Sequence, residues 1–163
     1  MPKIIGDPQP PTGLRRLLFR APIWLYTVGL GGMMSGRFLL LNHTGRKSGQ
    51  PRQTALEVVD FDPELGTSFV ASGFGKESDW YLNILKTPDV TIQRGSKIIP
   101  ATAHPLTPED SGQAMVDYAQ RNPRAAKQLM RLCGYEVDGS DADYFAMGHD
   151  FLPFVALSPR NDI

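Results

Sequence analysis

A short basic turn between two apolar runs is the feature of this sequence that most restricts its fold. Leucines at 39–41 precede the turn, and apolar residues recur at alternate positions after it, which predicts two paired strands. The turn occupies residues 42–52 and carries three basic side chains: Arg46, Lys47 and Arg52. Gly45 and Gly49 are expected to adopt positive φ angles that reverse the chain and expose backbone N–H groups. The hairpin therefore predicts a place for a phosphate or carboxylate, with a simple solvated turn as the alternative.

Composition excludes several classes of protein but identifies none. The 163 residues suit one domain with a hydrophobic core, and 17 basic residues balance 17 acidic ones, so no nucleic-acid partner is expected. The single cysteine, Cys133, argues against a disulfide framework and suits a reducing cytoplasm. Three histidines show no metal-ligand spacing, so no metal is expected: His43, His104 and His149. No segment resembles a membrane span or a cleaved signal, which predicts a cytoplasmic protein.

The N-terminal part of the chain has the pattern of an arm followed by apolar helices. Residues 1–12 carry four prolines without periodicity, which predicts a flexible arm, and residues 13–163 are then expected to form a single domain. Apolar residues at 14, 17, 18 and 19 fall on one helical face, and Pro22 opens a second short helix. We expect these helices to pack on the domain. The alternative is a peripheral contact with the inner face of a membrane, which the nearby arginines would favour.

The rest of the chain has the pattern of a mainly β fold with inserted helices. Strands are predicted at 37–44, 51–61, 67–72, 90–94, 97–104 and 151–157, the first three as an antiparallel meander. Helices are predicted at 79–86, after Thr107 and after Asn122, where capping residues and prolines mark two of the starts. Because the helices do not alternate one for one with the strands, a mostly antiparallel small barrel is favoured over a parallel α/β sheet.

A second informative segment, residues 70–83, joins a strand of small residues to a helix with aromatic residues. Its glycines do not fit a dinucleotide fingerprint, which requires glycine where Ser78 stands. They do not fit a P-loop either, which requires a hydroxyl residue where Glu77 stands. What remains is a strand end that a flat ring can approach, followed by a helix bearing Trp80 and Tyr81. Two core aromatics are the alternative.

The two segments together resemble the deazaflavin-dependent nitroreductase family of actinobacteria. Members of that family carry a T-G-R-K-S/T-G-x-P-R turn and, further along the chain, an A-S … W-Y-x-N segment. This sequence has the first motif at residues 44–52 and the second at residues 71–72 and 80–83, and the resemblance runs from the N-terminal helix to the final strand. It implies an α+β fold that is mainly β, a split β-barrel like that of flavin mononucleotide-binding proteins, with an N-terminal helix and helical insertions.

The resemblance also implies a coenzyme, 8-hydroxy-5-deazaflavin (coenzyme F-420), and the residues that hold it. Four residues of the turn would contact its phospholactyl and glutamyl tail: Arg46, Lys47, Ser48 and Arg52. The next four would run beside the coenzyme: Gln53, Thr54, Ala55 and Leu56. A strand end would line it, and a helix would close the far side: Val70, Ala71, Ser72 and Gly73, then Trp80, Tyr81 and Asn83. Lys76 is added as an anion contact from its position in the loop, without a motif match.

The implied reaction is direct hydride transfer from the reduced deazaflavin to an electron-poor small molecule such as a quinone, an enone or a nitroaromatic. The product also needs a proton, for which solvent, Ser72 and Tyr81 are the candidates. This sequence departs from family members that reduce nitroimidazoles, because Gly73 stands where they have a lysine and Glu57 where they have an aromatic residue. The residues that bind the substrate are therefore left unassigned.

Two other classes of function stay open. An oxidoreductase with the same barrel architecture can use flavin mononucleotide and a homodimer interface, and it would be yellow as purified. A carrier without catalytic activity would hold deazaflavin or a lipid, and it would not oxidise the reduced coenzyme when an acceptor is added. Colour and acceptor-dependent oxidation distinguish these classes.

Overall fold

The computed structural model describes residues 2–4, 38–73 and 75–160. The strands in these residues are β1 (Lys3–Ile4), β2 (Phe38–Thr44), β3 (Pro51–Glu57), β4 (Asp60–Asp62), β5 (Thr67–Ala71), β6 (Asp89–Arg94), β7 (Lys97–Pro105), β8 (Tyr135–Glu136) and β9 (Phe154–Pro159). The helices are α1 (Asp79–Lys86), α2 (Pro108–Arg121), α3 (Pro123–Leu132) and α4 (Asp141–Ala146), followed by a π-helical turn, Met147–Phe151. The helices predicted at 14–19 and from Pro22 to residue 26 lie outside the described residues.

The chain divides into two compact units. The described part of the sheet unit comprises residues 38–70, 79–104 and 156–160, and that of the helical unit comprises residues 2–4, 71–73, 75–78 and 105–155. In the helical unit, Lys3 and Ile4 pair with Glu136 and Tyr135 in an antiparallel ladder. Part of the segment predicted as a flexible arm is therefore hydrogen-bonded to the rest of its unit.

One seven-stranded sheet has the order β3-β2-β6-β7-β9-β5-β4. The pairs β2-β3, β2-β6, β6-β7 and β4-β5 are antiparallel. The predicted meander is wrong in its third strand, because β5 does not lie beside β3. The strand predicted at 51–61 breaks after Glu57. Val59 then donates its N–H to the carbonyl of Phe69 at 2.9 Å, and the chain continues as β4, which forms a hairpin with β5. This break leaves β3 at an edge of the sheet.

The sheet curls, as one side-chain contact between distant strands shows. Strands β5 and β6 are separated by β7 and β9, so in a flat sheet they would lie roughly 14 Å apart. Arg94 of β6 nevertheless donates from Nη1 to Ser68 Oγ of β5 at 3.3 Å. Its guanidinium also lies 4.1 Å from the ring centroid of Phe61 in β4. Contacts of this length require the sheet to bend back toward itself, as in a partly closed barrel.

The core of the sheet unit follows the two-residue period of its strands. Leu41 is opposite Ile92, and Val90 is opposite Ala101, so these buried side chains lie on one face of β2, β6 and β7. Helix α1 contacts β2 and buries residues at helical spacing, among them the fully buried Ile84. Burial of each large aliphatic side chain contributes about 1.5–3 kcal/mol to folding. The buried face thus fixes where α1 lies along β2.

The helical unit confirms the predicted helix starts and corrects the position of the last strand. Thr107 caps α2 by accepting from the N–H of Asp110 at 3.1 Å, as its sequence predicted. The last strand begins at Phe154 and not at Phe151, because the preceding residues form a wide turn in which Leu152 N–H donates to the carbonyl of residue 147 at 2.8 Å. Apolar runs fit a strand and a buried turn equally well. Among the described residues, no helix has the length and apolar character needed to cross a membrane.

Candidate functional site

The basic turn is ordered by its own hydrogen bonds. Gly45 donates its N–H to the carbonyl of Gln50 at 2.8 Å, and Gly49 donates to the carbonyl of Gly45 at 2.9 Å. Ser48 Oγ accepts from the N–H of Gln50 at 3.2 Å. Gly49 has the expected positive φ, 69°, but Gly45 does not. A Cβ at Gly45 would instead lie 2.7 Å from Ser48 Oγ, so a larger residue there would displace the Ser48 side chain from its bond to Gln50.

Arg46 is fastened to helix α1 through both its side chain and its backbone. Its N–H and its Nη1 each donate to Asn83 Oδ1 at 3.0 Å, and both terminal guanidinium nitrogens lie 3.3 Å from Asp79 Oδ1. Its carbonyl accepts from Lys86 Nζ at 2.7 Å. Arg46 therefore joins the turn to the helix, and its hydrogen-bonding groups are largely occupied within the sheet unit.

His43 is the hydrogen-bond partner of Asn83 on the side away from Arg46. Asn83 Nδ2 and His43 Nδ1 are 3.0 Å apart, and both side chains are buried. Since Asn83 Oδ1 already accepts two bonds from Arg46, its amide nitrogen is the donor to His43, so Nδ1 is unprotonated and Nε2 carries the hydrogen. Burial and, after it, the positive charge of Arg52 lower the pKa of His43 to about 4, while Asp79 opposes both. The imidazole is neutral at pH 7.

Little in the sequence singles out His43, Asp79 or Lys86 as site residues. His43 and Asp79 each stand next to a motif residue, Lys86 stands three residues after Asn83, and all three lie outside the motifs themselves. The available signal was spacing, because Asp79, Asn83 and Lys86 are four and three residues apart and lie on one side of a predicted helix. That side is the one the turn contacts.

Acid conditions are expected to destabilise the protein through His43. Its pKa in the folded state lies below the 6.5 of an unfolded histidine, so the unfolded chain takes up the proton first as the pH falls. The stabilisation is complete above pH 6.5 and is lost as the pH falls to about 4, a change of about 2–3 kcal/mol in the free energy of unfolding. Urea unfolding between pH 4 and 7 measures it.

Two substitutions separate this effect from the titration of carboxylates. We expect the free energy of unfolding of His43→Gln to change less than that of wild type between pH 4 and 6.5, because glutamine does not titrate. The exposed His104 provides the control, and His104→Gln should retain the wild-type profile. Equal profiles for wild type and His43→Gln would contradict a buried neutral His43.

Lys47 and Arg52 are the basic side chains of the turn that remain available. Both are exposed, and neither has a hydrogen-bond or ion-pair partner among the residues that the structure describes. Within the same described residues, the N–H groups of Lys47 and Ser48 have no acceptor. The Arg52 guanidinium lies over the turn, since its Nε is 3.5 Å from where a Cβ on Gly45 would stand. Two cations and two N–H donors at one turn can bind an anion.

The next four predicted site residues lie on the edge strand β3 and point to alternate faces. Gln53 and Ala55 share one face, and Gln53 Nε2 donates to Asn42 Oδ1 at 2.9 Å. Thr54 and Leu56, both half-buried, are on the same face as Arg52. A ring packed on one face of β3 would therefore contact either Gln53 and Ala55 or Thr54 and Leu56, and not all four side chains.

The aromatic residues of α1 differ in their surroundings. Trp80 is buried, which fits the alternative of a core aromatic, and Val70 in β5 is buried as well. Tyr81 is half-buried, and its ring meets that of Trp80 edge-on with centroids 6.0 Å apart. Burial raises the pKa of Tyr81 above its ordinary value, so its phenol is protonated at neutral pH.

The remaining predicted site residues, Ala71, Ser72, Gly73 and Lys76, belong to the helical unit. The buried Ser72 donates from Oγ to the carbonyl of Gly75 at 2.6 Å and from its N–H to that of Pro153 at 2.9 Å. Ser72 thus closes a turn with its hydroxyl proton. Gly73 leaves room for Cys133, whose Sγ would be 3.2 Å from an added Cβ. Lys76 is exposed and has no partner among the described residues.

Solved structures define the class of fold. A structure described as an F420-H2 dependent reductase matches 74% of this chain and 93% of its own, with a TM-score of 0.50 and 22% identity. A pyridoxamine 5'-phosphate oxidase-related, FMN-binding protein of Nostoc punctiforme matches 86% of this chain and 80% of its own, with a TM-score of 0.52 and 14% identity. The fold is therefore a mainly β split barrel with added helices, as the sequence predicted.

The sequence comparison is more specific. Residues 20–130 match the profile of the F420H(2)-dependent quinone reductase family, and this chain belongs to that family. Proteins named F420H(2)-dependent quinone reductase in two Mycobacterium tuberculosis strains are 42% identical to it over 79 residues, which is 47% of this chain and 51% of theirs. The chain thus spans about half the length of the curated relatives it matches.

Proposed function

We propose that this protein is an oxidoreductase that transfers hydride from the reduced deazaflavin coenzyme to a quinone. The observation that carries the proposal is the pair of cations, Lys47 and Arg52, exposed and unpartnered among the described residues at the turn whose sequence matches the family motif. Family membership supports deazaflavin over flavin mononucleotide, and the relatives named as quinone reductases support a quinone as acceptor.

The residues of the turn fit the anionic tail of the coenzyme. Lys47 and Arg52 supply two positive charges, and the N–H groups of Lys47 and Ser48 supply two further donors. A hydrogen bond to a charged group contributes about 1.5–3 kcal/mol, with exposure to solvent favouring the lower end. Arg46, by contrast, is proposed to hold the turn rather than the ligand, because Asp79 and Asn83 already occupy its guanidinium.

The chain contributes chiefly binding and orientation to the reaction. When bound, the deazaflavin supplies the hydride. Lys47 and Arg52 anchor one end of the ligand, which fixes how far the other end extends along the sheet edge. Thr54 and Leu56 lie on the same face of β3 as Arg52 and offer a half-buried surface that limits access of water.

Tyr81 is the stronger of the two side-chain candidates for the proton that completes quinone reduction. Its pKa is raised by burial, so it carries a proton at neutral pH, and its half-buried position leaves it partly accessible. The Ser72 hydroxyl is buried and already donates to the carbonyl of Gly75. Solvent remains the alternative donor.

Titration of the purified protein with deazaflavin, followed by its fluorescence, tests the proposal. We expect saturable binding that is tighter than binding of flavin mononucleotide in a parallel titration. The reduced coenzyme is then mixed with protein and a soluble quinone, and we expect its oxidation to depend on both. Preference for flavin mononucleotide would contradict the coenzyme assignment, and binding without quinone-dependent oxidation would indicate a carrier.

Location and assembly are proposed from sequence alone. A cytoplasmic protein with a peripheral membrane contact would bring the site close to quinones dissolved in lipid. The apolar segment that would make this contact, residues 13–26, lies outside the described residues. A homodimer is retained as a further proposal.

A further inference from the structure

One buried amide determines the path of the basic turn. Asn83 Oδ1 accepts from the backbone N–H of Arg46 and from its side chain, both at 3.0 Å. Arg46 is the first basic residue after β2 ends at Thr44. A helix side chain therefore takes the place of a backbone acceptor where the chain leaves the sheet.

We propose that Asn83 is a positioning residue: hydrogen-bonded to His43 on its other side, it holds the Arg46 backbone so that Lys47, Ser48 and Arg52 face an anionic ligand. This inference rests on the proposed function and gives Asn83 a different role from the direct coenzyme contact that the resemblance implied. Asn83 acts through Arg46, and its own polar atoms are directed at protein groups.

The hydrogen bonds allow only one orientation of this amide. If it were reversed, its NH2 group would face the N–H and guanidinium donors of Arg46, and its oxygen would face His43. Because both Arg46 groups can only donate, they fix Oδ1 toward Arg46, and the amide nitrogen is left to donate to His43 Nδ1 at 3.0 Å. The burial of His43 and Asn83, 6% and 3% exposed, excludes water as a substitute partner.

Other contacts of the same turn are weaker candidates for the positioning role. Asp79 contacts only the Arg46 guanidinium, at 3.3 Å, and its side chain is 80% exposed. Exposed ion pairs contribute little, because water and salt screen them. Asp79→Asn removes the negative charge beside the Arg46 guanidinium but leaves the bond from the Arg46 N–H to Asn83 intact. It is therefore the matched control.

The test compares Asn83→Ala with Asp79→Asn in the full chain by two measurements. We expect Asn83→Ala to speed hydrogen exchange of the Arg46 amide at least tenfold and to raise the deazaflavin Kd at least tenfold. Asp79→Asn should change either quantity less than threefold. Unchanged Arg46 exchange in Asn83→Ala would overturn the proposal, as would faster exchange without weaker binding.

A second variant keeps the test decisive if Asn83→Ala does not fold. Asn83→Asp retains an acceptor for both Arg46 donors but cannot donate to a neutral His43. We expect it to keep the Arg46 amide protected and to shift the 15N resonance of His43 Nδ1 from an unprotonated to a protonated value at pH 6. Loss of Arg46 protection in this variant would contradict the positioning role. If wild type does not bind deazaflavin, the proposed function is contradicted. Hydrogen exchange of the Arg46 amide would then be the measurement that tests whether Asn83 positions the turn.

Discussion

Replacement of Gly148 by alanine is expected to destabilise the helical unit by about 3 kcal/mol or more, toward the upper end of the cost of overpacking. A Cβ at this position would overlap the carbonyl oxygen of Ser111, and it would lie 2.7 Å from the carbonyl carbon of Ser111 and 2.9 Å from the Cα of Gly112. These are backbone atoms of α2, and they cannot rotate away as a side chain can. Gly148 has no positive φ, so the requirement is for space and not for an unusual backbone angle.

Urea unfolding of Gly148→Ala measures the effect, and Gly112→Ala is the matched control. A Cβ added at Gly112 would meet the ring of Phe145 at 2.8 Å, but Phe145 is 36% exposed and its ring can turn outward. Alanine also favours a helix interior over glycine by about 0.5–1 kcal/mol. We therefore expect Gly112→Ala to change stability by less than about 1 kcal/mol. Equal losses in the two variants would contradict the argument from backbone overlap.

The double substitution Lys47→Ala/Arg52→Ala is expected to raise the deazaflavin Kd by about a hundredfold. Each side chain is exposed, so each contact with the anionic tail is assigned about 1.5 kcal/mol, the lower end of the range for charged hydrogen bonds. Two such contacts sum to about 3 kcal/mol, and about 1.4 kcal/mol corresponds to tenfold in Kd. Fluorescence titration of both proteins at two salt concentrations provides the measurement.

The control for this prediction removes two positive charges elsewhere. Lys97 and Arg124 are exposed and lie outside the turn, so Lys97→Ala/Arg124→Ala changes the net charge equally. We expect this variant to bind within threefold of wild type. Added salt should weaken deazaflavin binding more in wild type than in Lys47→Ala/Arg52→Ala. Salt screens the charged contacts of Lys47 and Arg52, and the double variant lacks those contacts. If Lys97→Ala/Arg124→Ala raised the deazaflavin Kd as much as Lys47→Ala/Arg52→Ala, the cause would be the net charge of the protein and not a site at the turn.

Hydrogen-bonding partners within the fold change the interpretation of the basic turn. Arg46, Lys47 and Arg52 are equivalent in the sequence as three cations near one turn. In the structure Arg46 is bound to Asp79 and Asn83, whereas Lys47 and Arg52 keep their charges exposed. The same basic turn thus contains one residue that joins it to a helix and two that can bind an anion.

Short-range signals in the sequence determined several of the elements. Helix α1 has the predicted bounds, Asp79–Lys86, and the turn at Gly95 joins β6 to β7. Thr107 caps α2, and Pro123 opens α3, as predicted. Capping, turn formation and amphipathic periods depend on residues within about four positions, so a single sequence contains the information they need.

Only the tertiary structure decided the strand order, the wide turn and the partners of the site residues. Val59 could continue a strand by its sequence, but its bond to Phe69 starts a new hairpin and leaves β3 at the edge. The close approach of Gly148 to Ser111 and the bond between His43 and Asn83 join residues about forty positions apart. Pairings at that separation depend on packing of whole elements, because many alternative partners satisfy the same local pattern and only the assembled core selects among them.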